Sequence, residues 1–244
     1  MKRPFSLDEF LNRTFFGLDI LTMLNDVEHF IEFSEGNIAT QKQLEYNRTE
    51  RDCSEEEFDD PVMAAQYRDQ MLESVHYRFD VGLTQRVRYA GLTAFITTVE
   101  WCLLALKKRA AFDFPDKPKG TNEAVHALEV FNQKANLGVE TKIEVLRAAI
   151  QVRNCIVHAA GLLGSFQYEA SLRAQLQSLP GVKASTINFL GESLEIEAGF
   201  LESLVEDFRQ WLPDIEKTAS TQGLLERGGG PGQRPSKANG PKRS

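Results

Sequence analysis

The segment VETKIEVLRAAIQVRNCIVHAA, residues 139–160, is the most informative part of the sequence, because it predicts a helix that is apolar around most of its circumference. The apolar positions recur on most sides of the helical wheel, and Gly161 ends the run. Such a helix lies at the centre of a bundle, since each of its faces needs a covering neighbour. We therefore expect an all-α fold assembled around this segment.

A narrow polar stripe interrupts the apolar surface of this helix. Its members recur at steps of four, three, four, three and four residues: Glu140, Glu144, Arg147, Gln151, Asn154 and His158. At about 100° per residue they fall within roughly 80° of one another. An unpaired buried polar group costs about 1–3 kcal/mol. The stripe is therefore expected to face a wet cleft, a second polar seam, or its own copy across a dimer axis.

A second core helix is predicted over 85–111, and it also carries polar residues near one face: Arg86, Tyr89, Thr93, Thr97, Glu100 and Lys107. Glu100 is the only charged residue between Tyr89 and Leu106, so its carboxylate calls for a cationic partner. Arg153 and Arg147 are the two candidates. A purely structural interpretation stays open, in which the ion pair only fixes the register of two helices.

The remaining patterns surround these two helices with others. A capping-box pattern begins at Ser6, Pro61 can occupy the first position of a helix, and Thr121 can cap another. We expect helices over about 6–36, 61–79, 121–137 and 199–217, with 41–60 as a loop or a frayed helix end. Strand-favouring residues at 183–189 and 194–196 flank Leu190-Gly191-Glu192 and predict a hairpin. The predicted fold is a bundle of five to six helices with one short β-hairpin.

The charge is unevenly distributed between the body of the chain and its end. The formal net charge is −7, and from Gly223 onward five basic residues stand against Glu226 alone, a net +4, which leaves −11 on the rest. An acidic body disfavours indiscriminate binding to nucleic acid. Residues 1–222 are expected to form the folded domain and 223–244 a disordered basic tail, either simply solvated or serving as an electrostatic arm for RNA or an acidic partner.

Composition and cysteine usage bound the class of protein. With 244 residues, 42% apolar and 26% charged, the chain is neither collagen-like, fully disordered nor a disulfide scaffold. Cys53, Cys102 and Cys155 are odd in number and widely spaced, which favours a reducing compartment. We find no signal-peptide pattern, and we expect the apolar stretch 92–106 to be too short and too polar to cross a bilayer. The expected location is the cytoplasm, without membrane association.

The stretch Arg153-Asn154-Cys155-Ile156-Val157-His158 resembles the motif of the HEPN superfamily, helical domains marked by an Arg, four to six residues and then a His. In that family the first intervening residue is often polar and frequently Asn. The segment 89–100, YAGLTAFITTVE, looks like the earlier HEPN core helix that ends in a Glu. The segment 194–212 is similar to standalone bacterial HEPN proteins. The resemblance covers about residues 60–217.

The resemblance implies a metal-independent endoribonuclease without a cofactor, paired as a homodimer, in a toxin–antitoxin or phage-defence setting. An imidazole can move protons near neutral pH, and a guanidinium fork fits phosphate oxygens. We expect Arg153 to hold the scissile phosphate, His158 to act as general acid or base, and Asn154 to support both. Glu100, Arg147 and Gln151 are expected to bind substrate or support these residues. RNA is the expected substrate, and an antitoxin or another partner protein is possible.

One geometric difficulty accompanies this motif. Arg153 and His158 are five residues apart, about 140° around a regular helix, so their side chains do not project together. The Arg side chain can curl, the helix can loosen toward Gly161, or a second protomer can complete each site.

Other interpretations remain open. The domain could be a non-catalytic HEPN interaction module, a nucleotide- or RNA-binding module, or the partner of a nucleotidyltransferase. Cys155 near His158 is better explained as an inert core thiol than as a nucleophile. His29, His76, His126 and His158 are scattered, so no metal site is expected. Trp101 and Trp211 are interpreted as core residues.

Overall fold

The computed structural model describes residues 15–56, 59–188 and 191–226, and it confirms a helical bundle with one antiparallel hairpin. In the described residues the helices are α1 (Phe15–Glu55), α2 (Pro61–His76), α3 (Thr84–Lys108), α4 (Glu123–Ala135), α5 (Glu140–Ala159), α6 (Glu169–Gln175) and α7 (Phe200–Thr221). The strands are β1 (Val182–Asn188) and β2 (Gly191–Ile196). The π-helical segment Tyr77–Leu83 joins α2 to α3 without a break.

One hydrophobic core joins the first half of α1 to α3, α4, α5, α7 and the hairpin. Phe95 of α3 meets Phe208 of α7 edge to face at its centre, with ring centroids 5.0 Å apart. Gly91 allows α1, α3 and α7 to approach closely, because a Cβ there would lie 2.9 Å from Ile31 and 3.0 Å from Leu201. The boundaries predicted for the core helices agree with α3, α4, α5 and α7 within a few residues.

The predicted hairpin is confirmed, and it packs against the start of α3. Its register pairs Val182 with Ile196, and an irregularity follows Ser185. The Gln85 amide bonds to both backbone groups of Ile196, donating to the carbonyl at 3.0 Å and accepting from the N–H at 2.9 Å. Arg88 donates to the same carbonyl at 2.8 Å. These bonds fix the end of β2 on α3.

The prediction that the first helix ends near Gly36, with a loop or frayed end after it, is wrong. Helix α1 continues through Gly36 to Glu55. Polar pairs replace the missing apolar pattern: Lys42 binds Asp80 at 2.6 Å, and Arg78 binds Glu45 at 3.1 Å across to the neighbouring helix. A helical glycine costs about 1 kcal/mol, which such pairs and packing offset. The capping box at Ser6 lies outside the described residues.

The predicted break between 79 and 85 is also absent. The extra residue per turn of the π segment keeps the chain helical while Val75 and Phe79 remain buried. The Thr84 hydroxyl donates to the Phe79 carbonyl at 2.7 Å, and the same oxygen also accepts the Thr84 backbone N–H. The short helix α6 was not predicted, because seven residues with Leu172 as their one buried side chain show no periodicity.

Two parts of the chain lie next to the bundle: a helical arm and the residues that follow α7. The distal arm, defined as residues 32–56 of α1 and its following turn with 59–74 of α2, contains no buried side chain among those described. Residues 223–226, predicted to belong to the disordered tail, include Leu225, which is buried and forms a bridge with Ala110. The rest of that predicted tail, 227–244, lies outside the described residues.

One continuous helix in the described part of the chain, Pro61–Lys108, contains a window long and apolar enough to cross a membrane by length and composition. On those two criteria the expectation that this stretch is too short and too polar is wrong. Half of the window is buried inside the protein, as in the core helix of a soluble protein. The structure is compatible with a soluble protein.

Candidate functional site

The first half of the polar stripe on α5 faces α4. Arg147 forms an ion pair with Glu129 at 2.6 Å, and the Asn132 amide donates to Glu140 at 3.0 Å. Glu144 is exposed. This part of the stripe is therefore satisfied by a second polar seam and by solvent, as one of the sequence-based alternatives expects. Arg147 lies beside α4 rather than beside Arg153.

The polar face predicted on α3 does not meet the stripe as a continuous seam. Thr93 and Thr97 each donate at 2.8 Å to a carbonyl one turn earlier in their own helix. Lys107 pairs with Glu123 of α4, and Arg86 is exposed. Glu100 is the member of this face that contacts α5, and Arg153, which is not part of the stripe, is its partner.

Glu100 lies at the junction of three helices. The Arg153 Nη2 of α5 donates to Glu100 Oε1 of α3 at 2.8 Å, and these side chains are 22% and 19% exposed. The Nδ2 of Asn122 donates to the same oxygen at 2.8 Å. The Oδ1 of Asn122 accepts the N–H groups of Ala124 and Val125, so it caps α4. One carboxylate oxygen therefore ties α3, α5 and the start of α4 together.

Asn122 was missed by the sequence analysis, which chose Thr121 as the cap. Asn is as strong an N-cap as Ser or Thr, and it differs from them by keeping an NH₂ donor free after capping. That spare donor is the signal that could have identified it.

Two buried side-chain atoms of α5 have no hydrogen-bond partner within the described structure: Arg153 Nε and Gln151 Oε1. A buried donor or acceptor left unsatisfied costs about 1–3 kcal/mol, so a water molecule or a bound group would stabilise each of them. The two side chains are about 200° apart around the helix, so only Arg153 Nε belongs to the Glu100 junction, and Gln151 belongs to the polar stripe.

His158 is exposed in the last turn of α5, and Asn154 one turn before it is half-buried. In the described structure no hydrogen bond joins His158 to Arg153, in agreement with their separation around the helix. The imidazole is accessible from solvent, while the guanidinium points toward α3.

A rigid junction holds the end of α5 that carries His158. The Tyr89 hydroxyl donates to the Leu194 carbonyl, and the Leu194 N–H donates to the Gly161 carbonyl at 2.9 Å. Gly161 has φ of +82°, and any Cβ there would collide with the Tyr89 ring. Burial raises the pKa of Tyr89 to about 12, so the phenol remains a donor at neutral pH. The hairpin and α3 thereby fix the turn that follows His158.

Cys155 is a fully buried core thiol, as the sequence predicted, and not a partner of His158. Burial raises its pKa to about 11, which keeps it protonated and unreactive. Among the residues described, no group of three or more His, Cys, Asp or Glu side chains could hold a metal ion.

The prediction that Trp101 belongs to the core is wrong. Trp101, next to Glu100, is 48% exposed, and Val157, next to His158, is 54% exposed. Trp211 is half-buried against Phe208, with ring centroids 4.7 Å apart. Large apolar side chains therefore reach the surface one residue from Glu100 and one residue from His158.

Comparisons with known proteins give no match: no family model, no curated protein and no solved structure is significantly similar to this chain. The HEPN resemblance therefore stays a prediction that rests on the residues quoted for it.

Proposed function

We propose that this protein is a metal-independent endoribonuclease of the HEPN type, acting in the cytoplasm as a toxin or phage-defence effector. The observation that supports the proposal is the exposure of His158 at the end of a core helix whose next turn is rigidly held. An acid–base group must reach its substrate, and a histidine that served only packing would be covered.

The proposed chemistry uses the 2′-hydroxyl of RNA as the nucleophile. His158 accepts the hydroxyl proton as the 2′-oxygen attacks phosphorus, and a protonated imidazole donates a proton to the departing 5′-oxygen. The products are a 2′,3′-cyclic phosphate and a free 5′-hydroxyl. Arg153 would stabilise the charge that develops on the phosphate, with Glu100 and Asn122 orienting its guanidinium. Asn154 and Gln151 are proposed to assist phosphate binding.

We propose a homodimer because the reaction needs one imidazole as base and one as acid, and each copy supplies only one at position 158. In addition, no hydrogen bond brings His158 to Arg153 within one copy. Two copies related by a twofold axis would bring two imidazoles to one cleft, one as base and one as acid. The exposed Trp101 and Val157 support a contact here, since large apolar side chains are typical of the centre of an interface.

The test is cleavage of single-stranded RNA by the purified protein in the presence of EDTA. We expect cleavage by the wild type and a loss on the order of 10²–10⁴-fold in His158→Ala, because positioned acid–base help contributes about that much. Arg153→Ala should also lose activity. His29→Ala removes an exposed histidine on α1 and should cleave at the wild-type rate.

The outcomes separate folding from chemistry when each variant is checked by circular dichroism and thermal unfolding. Loss of cleavage in a folded His158→Ala protein supports the assignment. Equal cleavage by wild type and His158→Ala, or no cleavage by the wild type and equal growth of cells expressing all forms, would contradict it.

A second candidate function is a non-catalytic module that binds a nucleotide, RNA or a partner protein such as a nucleotidyltransferase. The pairing of Arg153 with Glu100 favours it, since that ion pair gives the arginine a structural role. Retained binding of RNA or nucleotide by a wild type that does not cleave would support this alternative.

A further inference from the structure

The distal arm has no buried side chain among those described, and near its base Glu35 pairs with Arg88 of α3 at 2.7 Å. Its helices run antiparallel, as shown by Tyr46 against His76 with ring centroids 5.7 Å apart, and by Lys42 against Asp80. Several large apolar side chains on it are exposed: Phe33 at 73%, Leu44 at 58%, Val62 at 62% and Met63 at 60%. Two helices without a buried side chain gain little from their own packing, so a contact along this face would stabilise them.

The end of the arm combines negative charge with a cavity. Residues 50–56 and 59–60 contain six carboxylates and Arg51, a net charge of −5. A cavity of about 410 Å³ opens there, and Asp52, Glu56, Tyr67 and Met71 contribute to its lining. The Glu56 carboxylate raises the pKa of Tyr67, which shows how closely these two groups lie. Carboxylates beside an aromatic ring and a thioether suit the head and stem of a Lys or Arg side chain.

The chain itself supplies a segment of the opposite charge. Residues 227–244 contain five basic residues and no acidic one, a net +5: Arg227, Arg234, Lys237, Lys242 and Arg243. Lys and Arg separated by Gly, Pro and Ser present their charges without apolar side chains that would compete for a core. The charge of this segment matches that of the arm's end in size and is opposite in sign.

The position of Glu226 decides which copy of the arm this segment can reach. The Glu226 N–H donates to the Arg109 carbonyl at 2.8 Å, directly after the last turn of α3. The cavity residues Met71 and Tyr67 lie 38 and 42 residues before Arg109 along the continuous helix, which is about 57–63 Å at 1.5 Å per residue. At full extension the chain beyond Glu226 reaches about 40 Å at Lys237 and about 60 Å at Arg243. Three of the five basic residues therefore cannot reach the acidic end of their own arm, and the last two approach it only when the segment is fully extended.

We infer that residues 227–244 of one copy bind the acidic end of the distal arm of a second copy, so that the protein associates head to tail. The cavity beside Asp52 and Glu56 receives a Lys or Arg side chain, and the neighbouring carboxylates attract the rest. A contact that joins two different surfaces can propagate from copy to copy, in contrast to a twofold pair.

Sedimentation of the full-length protein over a range of concentrations tests this inference at 0.1 M and 1 M salt. The Debye length falls from about 10 Å to about 3 Å between these conditions, so we expect the association to weaken on the order of tenfold or more. Removal of residues 227–244 should abolish the salt-dependent part, and Asp52→Lys with Glu56→Lys should do the same. Asp116→Lys with Asp214→Lys, the same change at exposed positions outside the arm, should leave it intact.

A mixing experiment gives the sharpest outcome. The truncated protein keeps an intact arm, and the arm variant keeps an intact basic segment, so mixing them should restore the salt-dependent association that neither protein shows alone. Circular dichroism and thermal unfolding establish that both proteins are folded. The inference is overturned if sedimentation of the wild type does not change between the two salt concentrations, or if the truncated protein associates as strongly as the wild type. It is also overturned if the mixture forms no salt-dependent complex. Loss of RNA affinity on truncation with unchanged sedimentation overturns it too, and assigns the segment to RNA.

Discussion

The bundle and the distal arm are both helical, yet different forces hold them. In α3 from Gly91 onward, and along α4, α5 and α7, buried apolar side chains recur and belong to one shared core. Between Ile31 and Val75, by contrast, no described side chain is buried. The arm depends on helix propensity, on its half-buried seam and on ion pairs such as Arg78 with Glu45.

This difference separates stability from availability for binding. Burial of apolar surface provides most of the stability, so the bundle can position a site to a fraction of an ångström. The arm contributes little to the core, and its exposed apolar and acidic side chains are available to bind a partner. Mutations should therefore act on global stability in the bundle and on association in the arm.

The largest expected contrast is between a core residue and an arm residue truncated to alanine. Phe95→Ala removes a fully buried ring and should lower the free energy of unfolding by about 3–5 kcal/mol. Leu44→Ala removes a side chain that is 58% exposed and should change it by less than about 0.5 kcal/mol. Urea unfolding followed by circular dichroism measures both. Similar losses in the two variants would show that the arm is part of the cooperative core.

The same contrast explains which helices the sequence could predict. Apolar periodicity in α3, α5 and α7 comes from burial on the shared core, so their bounds follow from the pattern. The helix beyond Gly36 and the join at Tyr77–Leu83 were not predicted, since polar pairs between distant residues such as Lys42 and Asp80 hold them. Those pairs depend on how the two helices lie together, which no local pattern encodes.

For the candidate site, the sequence identified which side chains form an ion pair but not which side chains face solvent. Glu100 needed a cation, and Arg153 was one of two arginines named for it. The burial of Cys155 also followed from the apolar run. The bond from Asn122 to Glu100 was not predicted, because it depends on how α4 enters the bundle after a loop. The exposure of Trp101 was not predicted either.

A smaller effect should distinguish two carboxylates that each pair with an arginine of α5. Glu100→Ala leaves a largely buried guanidinium without its partner and should cost about 1–3 kcal/mol, after allowance for partial exposure. Glu129→Ala breaks a more exposed pair with Arg147 and should cost less than about 1 kcal/mol. Thermal unfolding at neutral pH gives the comparison. Equal costs would place the Glu100 junction among ordinary surface pairs.

Gly→Ala substitutions should change stability in opposite directions in the arm and the bundle. At Gly36 a new Cβ meets nothing within 4 Å, so Gly36→Ala should stabilise the protein by about 0.5–1 kcal/mol. At Gly91 the Cβ would press on Ile31 and Leu201, so Gly91→Ala should destabilise it by about 1–3 kcal/mol. Chemical denaturation measures both signs. A destabilising Gly36→Ala would mean that the arm bends at that residue.

The smallest effect is the pH dependence of stability that the Lys42–Asp80 ion pair contributes. The hydrogen bond from Lys42 lowers the pKa of Asp80 below its usual value, with His76 adding to the shift. A lowered folded-state pKa stabilises the protein above the unfolded-state value, near 4, and this contribution disappears as the pH falls through the folded value. Asp80→Asn should therefore be less stable than wild type at pH 7, and the stabilities of the two proteins should converge toward pH 2.

Because the Asp80 carboxylate is exposed, the difference in stability should also shrink in 1 M salt, as expected for a surface pair and not for the Glu100 junction. Hydrogen exchange of the arm amides in both proteins localises the effect, and a difference confined to bundle amides would contradict the assignment.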